Sequence, residues 1–241
     1  MLPANLSNIL GTTAKENDLL SFITKYQFDS ISLYDLAKIL GAGMGAQLSS
    51  FIQAAKACGV VEVNAIGSTN SNWVQVQNYQ SANAGKFDGL VTEVEFWNQS
   101  PVSTAFSAFV TQLQYMQTLG ITPPQITPYI GWLNRDPSMS EAQEAAILAA
   151  NVSRMFVHAY VKDPANAASY IQSRVTALLT AKPSLPIWPI FSAEGTQYKA
   201  GSEVFMGDWL AANSLDAAEA KLSGAKGFQY FHHAFLKQYL K

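Results

Sequence analysis

At 241 residues the chain is long enough for one large domain or two small ones around a substantial core. Hydrophobic residues make up 49% and charged residues 13%, which excludes a disordered chain. A net charge of −2 leaves no basic footprint, so neither nucleic acid nor a membrane is expected as a partner, and the single cysteine, Cys58, excludes an internal disulfide.

The first strand-like run, LPANLSNIL (2–10), is weak, interrupted by Pro3 and two asparagines. Thr13 and Glu16 have capping-box spacing and open a helix. A second strand is read at 29–36, ending at Asp35 with Tyr34 on its opposite face. Gly41, Gly43 and Gly45 follow in GAGMGAQL. Their G-x-G-x-G spacing differs from the G-x-G-x-x-G of a dinucleotide turn, so the stretch reads as a flexible loop before a helix. That helix stops at Gly59, with Cys58 read as a buried thiol at its end. The third strand, 60–67, carries Glu62 and Asn64 on one face, and Trp73 follows in a long loop. The fourth is 87–97. A helix then starts at Pro101 and stops at Gly120.

The fifth strand, 126–133, ends near Trp132, and Ser140 or Ser138 opens the next helix. The sixth, 154–161, presents His158 and Tyr160 on one face. Asp163-Pro164 opens a further helix, and the seventh strand, 186–191, carries Trp188. Glu194 lies in the loop SAEGTQY, and Ser214 precedes LDAAEAKLSG. The eighth strand, 227–236, holds adjacent His232 and His233, of which one, read as His232, faces inward. Alternation of strands and helices at about 30 residues implies parallel strands joined by right-handed crossovers. The expected fold class is α/β, a single (β/α)8 TIM barrel over 1–241 with a weak or irregular first strand.

The fourth strand raises a chemical question, because KFDGLVTEVEFWN places Glu93 and Glu95 in an apolar run. A buried carboxylate costs several kcal/mol unless it is paired or hydrogen-bonded. At a period of two, Val91, Glu93, Glu95 and Trp97 share one face, while Leu90, Thr92, Val94 and Phe96 share the other. In a barrel the first face looks into the mouth, where neighbouring carboxylates suit acid–base work.

DGLVTEVE resembles the fourth-strand signature of glycoside hydrolase family 18, D-G-x-D-x-D-x-E, of chitinases and endo-β-N-acetylglucosaminidases. Asp88 and Gly89 match its opening, Glu95 falls on the acid, Glu93 replaces the last aspartate and Val91 the middle one. VVEVNAIGST is similar to the family's third strand, and MFVHAYVKD to its sixth, which places Tyr160 at or near the family's tyrosine. The resemblance implies a substrate-assisted retaining mechanism on an N-acetylglucosamine-containing glycan, with Glu95 as general acid, Glu93 as its partner and Tyr160 in the site. No cofactor is implied, and an oligosaccharide is the expected partner.

Around these catalytic candidates, Asp35, Asn64, Trp97, Trp132, His158, Trp188, Glu194 and His232 are candidates for binding substrate. The tryptophans are read near the ends of strands four, five and seven, where aromatics stack on sugar rings. A zinc site is not expected, since the histidines form no His-x-His or His-x3-His pair. Two alternatives stand beside the hydrolase. One is a catalytically silent glycan-binding barrel. The other is a metal-dependent phosphodiesterase using Asp35, Glu62, Glu95 and Glu194 as hard oxygen ligands. Arg135 and Lys162 each have an acid nearby and read as solvated, which leaves no basic cluster for a phosphate. Low charge and abundant Asn, Gln, Ser and Thr fit a secreted or periplasmic protein, whereas MLPANLSNIL does not have the pattern of a signal peptide. The compartment therefore stays open.

Overall fold

The computed structural model describes residues 2–121, 125–192 and 229–231, together with 233 and 237. The strands are β1 (Leu2–Asn5), β2 (Ser30–Tyr34), β3 (Glu62–Gly67), β4 (Gly89–Thr92), β5 (Ile126–Ile130), β6 (Met155–His158), β7 (Ile187–Ser192) and β8 (Gln229–Phe231). Helices α1 (Thr13–Lys25), α2 (Leu36–Gly41), α3 (Gly45–Ala57), α4 (Asn70–Ala82), α5 (Val102–Gln117), α6 (Glu141–Asn151) and α7 (Ala167–Ala181) lie between them. The strands follow one another in the sheet in chain order, and successive pairs from β1 to β4 and from β5 to β8 are parallel. The fold class is α/β, with the topology of a TIM barrel. Among the described residues no helix is long and apolar enough to cross a membrane.

Two compact units are present, one of Met1–Val94 with Thr111–Thr127, the other of Glu95–Val110 with Pro128–Lys241. In the first, β2, β3 and β4 are buried along almost their whole length, as parallel strands covered on both faces must be. The weak first strand is real but short. It pairs with β2 over four residues and gives way to a 3-10 turn at Leu6–Asn8. The capping box at Thr13 does not form, because Thr12 is the N-cap and Glu16 instead accepts the Gly11 N–H at 2.6 Å.

Three further expectations for this unit are corrected. The glycine-rich stretch is mostly helical: Gly41 closes α2, Gly45 opens α3, and Gly43 turns between them at φ +74°. Cys58 is exposed because α3 ends at Ala57 and its C-cap projects beyond the apolar face. Trp73 lies in α4, fully buried, rather than in a loop. The helix opens on a capping box in which Thr69 and Asn72 exchange bonds. Asp88, the first residue of the glutamate motif, ties β4 to β3. Its carboxylate accepts the Val63 N–H at 2.8 Å and pairs with Lys56 at 2.8 Å.

In the second unit, Phe96 stacks on Phe109 and meets Phe106 edge-on at ring separations of 5.2 and 5.0 Å, fixing the turn after β4. Ser140 caps α6 through a box with Gln143. Asp163 accepts the Ala165 N–H at 2.9 Å before α7. β7 extends to Ser192, so Trp188 sits at its beginning rather than at its C-terminal end.

Candidate functional site

The strand that carries the motif stops early. β4 ends at Thr92, and Phe96–Asn98 form a 3-10 turn, so the alternation of faces expected through residue 97 does not continue past Thr92. Glu93 is half-buried, Glu95 is exposed, and Val91, Phe96 and Trp97 are buried. The Glu95 carboxylate accepts a hydrogen bond from Asn98 Nδ2 at 2.7 Å, which fixes its orientation in the turn.

In the first unit, Asp35 is exposed at the end of β2 in the left-handed region, φ 62°, and accepts the Ser7 hydroxyl at 2.6 Å. Asn64 is fully enclosed in β3, its Nδ2 donating to Glu62 at 2.7 Å, opposite Gly89 at the start of β4. The shared face of Glu62 and Asn64 is as expected.

The second unit assembles an aromatic group. Trp97 is 7% exposed and lies against Gly131, where a Cβ would approach three atoms of the indole to 2.8 Å. Its ring meets His158 edge-on at 5.7 Å, and His158 stacks on Tyr160 at 4.5 Å with 12° between planes. The expected common face of His158 and Tyr160 is therefore observed. Trp97, by contrast, supports His158 and offers little surface to a sugar. Tyr129 tilts against His158 at 6.1 Å, and its hydroxyl accepts Gln229 Nε2 at 2.5 Å. Replacing Gly131 by alanine is expected to displace Trp97 and lower stability by about 1–3 kcal/mol. Thermal unfolding together with the near-ultraviolet signal checks this, and an unperturbed tryptophan signal would contradict it.

Desolvation among these rings, followed by the positive charge of Arg174, pushes the His158 pKa down to about 3. The folded protein thus keeps His158 neutral where an unfolded chain, with a pKa near 6.5, takes up a proton. Its contribution to stability is fully present above pH ~6.5 and erodes as pH falls toward ~3. Relative to a His158→Phe variant, the wild type is expected to lose roughly 2–3 kcal/mol between pH 7 and pH 4.5. Parallel pH–stability curves for the two proteins would refute the assignment.

Sequence reasoning missed Arg174. It is 2% exposed on α7, donating to the carbonyls of Gly131 and Tyr170. Burial lowers its pKa, and the nearby Tyr170 and Glu141 oppose that shift. The signal was present in the sequence. Ala167, Ile171, Arg174 and Leu178 form the buried stripe of α7, and a cation in such a stripe calls for a partner. Trp132 is 41% exposed beside Tyr170, consistent with a surface for a ring. Trp188 packs under Arg154 at 4.2 Å, at the opposite end of β7 from that expected. Glu194 and His232 lie outside the described residues. Among the described residues no three His, Cys, Asp or Glu side chains are grouped to hold a metal ion.

No family model matches the chain, and no curated protein does. Solved structures do. A chitinase from Ipomoea carnea superposes with TM-score 0.53 at 15% identity over 93% of each chain. A family GH18 chitinase from Cycas revoluta, bound to allosamidin, gives 0.53 at 12% identity over 98% of this chain and 96% of that one. The same enzyme with (GlcNAc)3 gives 0.50 at 11% identity, over 99% and 98%. The chain has the fold of the glycoside hydrolase family 18 chitinases. At such identities the likeness to family 18 is one of fold, and the chemistry rests on this chain's own residues.

Proposed function

We propose that the protein is a glycoside hydrolase of the family 18 type, acting on an N-acetylglucosamine-containing glycan. The observation that carries this reading is Glu95. It is an exposed carboxylate just after β4, oriented by Asn98, at the motif position of the acid on a chain with the family 18 fold. In this reading protonated Glu95 delivers its proton to the glycosidic oxygen as the bond to the anomeric carbon breaks. The substrate's own 2-acetamido oxygen attacks that carbon from the opposite side, giving an oxazolinium ion. Water then opens the ion, Glu95 takes the water's proton, and configuration is retained. The sequence motif assigns the acetamide to Glu93. Tyr160, held flat against the uncharged imidazole of His158, supplies a phenol of fixed direction.

A second reading, a catalytically silent glycan-binding protein, is favoured by Val91. It is a fully buried aliphatic side chain where the motif has its middle aspartate. Turnover of a chromogenic chitobioside by the wild-type protein separates the two. Release of chromophore supports the hydrolase. Saturable binding of chito-oligosaccharides without release selects the binding protein. Cleavage of a phosphodiester that disappears with EDTA would replace both.

A further inference from the structure

The loop after β5 leaves two cations beside an exposed aromatic surface. Trp132 and Tyr170, 41% and 38% exposed, meet edge-on with ring centroids 6.0 Å apart. The Arg135 guanidinium lies 5.1 Å from the Trp132 ring centre. That of Arg174 lies 5.0 Å from both Trp132 and Tyr170. Among the described residues neither arginine forms an ion pair.

The acids closest to Arg135 in the chain are engaged elsewhere. Glu144 is fully buried, and its two oxygens accept the backbone N–H groups of Asn134 at 2.6 Å and Asp136 at 3.0 Å. Asp136 is also buried, and its Oδ1 accepts the Ser138 N–H at 2.8 Å and hydroxyl at 2.6 Å. Glu141 acts on Arg174 from outside ion-pair distance. The loop's negative charge is thus turned inward to its own amides, and Arg135 is left exposed with no ion-pair partner among the described residues. The exposure of Arg135 agrees with its reading as a solvated residue.

We infer that Trp132, Tyr170 and Arg135 form a subsite for an acidic sugar, one whose ring rests on the aromatic pair and whose carboxylate or sulfate pairs with Arg135. An aromatic face accepts the apolar side of a pyranose, and an exposed guanidinium is matched bidentately by a carboxylate. Arg174, locked by two carbonyls, fixes the platform from below and adds positive potential without direct contact. The inference rests on the glycan reading and narrows it to glycans that carry anionic residues.

The probe is an oligosaccharide alternating N-acetylglucosamine with glucuronate, titrated by calorimetry beside the same oligosaccharide with its carboxylates reduced to alcohols. The acidic form is expected to bind about tenfold more tightly at low salt, with the advantage shrinking toward about twofold at 0.5 M salt. Arg135→Gln is expected to abolish the advantage, so that the acidic and reduced forms bind the variant equally. Equal binding of the two forms overturns the subsite but leaves the glycan reading standing, provided neutral chito-oligosaccharides bind. Failure of every saccharide overturns both. An acidic peptide of equal charge binding as tightly as the sugar would also overturn the subsite, since the aromatic platform would then have no saccharide preference.

Discussion

Replacing Glu95 by glutamine is expected to lower kcat on a chromogenic chitobioside by about 10²–10⁴-fold while changing substrate affinity little. The amide keeps the shape of the side chain, and its carbonyl can still accept the Asn98 hydrogen bond, so the turn at Phe96–Asn98 is preserved. What it loses is a proton to give to the glycosidic oxygen. Because Glu95 is exposed and the turn is anchored by Phe96 against Phe106 and Phe109, thermal stability should stay within about 0.5 kcal/mol of wild type. A variant that folds normally and turns over at the wild-type rate would remove Glu95 from the acid role.

The largest stability effect is expected at Glu144. Its carboxylate closes the loop after β5 by accepting two backbone N–H groups, one of them buried, while the chain passes through a left-handed residue at Asn134, φ 58°. Such charge-assisted bonds are stronger than neutral ones, and removing the acceptor leaves a buried donor unsatisfied. Glu144→Ala should therefore cost about 3 kcal/mol, a fall in Tm of roughly 6–12 °C for a chain of this size. Glu144→Gln, which keeps one strong acceptor, should lose about half as much. The same variants should loosen Trp132, which lies in this loop, and a change in tryptophan emission reports that directly. An unchanged Tm in Glu144→Ala would mean that the loop is held by something other than this carboxylate.

The strand order was legible because each strand is a short apolar run set between helix signals, and parallel strands buried on both faces tolerate no other pattern. The helix starting at Ser140 was legible for a local reason, since its cap and Gln143 are three residues apart. α4 was not. NSNWVQVQNYQSA carries its buried residues, Trp73, Val76 and Tyr79, as a thin stripe in a polar background, and asparagine is a poor helix former. The alternation of faces read through Trp97 applies only within the strand, which stops at Thr92, and both glutamates lie beyond it. A period of two says which residues share a face but not where the hydrogen-bonded ladder stops. The stacked pair of His158 and Tyr160 spans little sequence, so the same reasoning sufficed there. Arg174, by contrast, reaches Gly131 from 43 residues away, and no local pattern names that partner.

Calorimetric titration of the wild-type protein with chitotetraose, set against cellotetraose of equal length and charge, tests the glycan reading most directly. The two sugars differ at carbon 2, where one carries the acetamide on which the proposed chemistry depends and the other a hydroxyl. Saturable binding of chitotetraose with at least about tenfold preference over cellotetraose is the predicted result. Equal affinity for the two, or no binding of either, would contradict it.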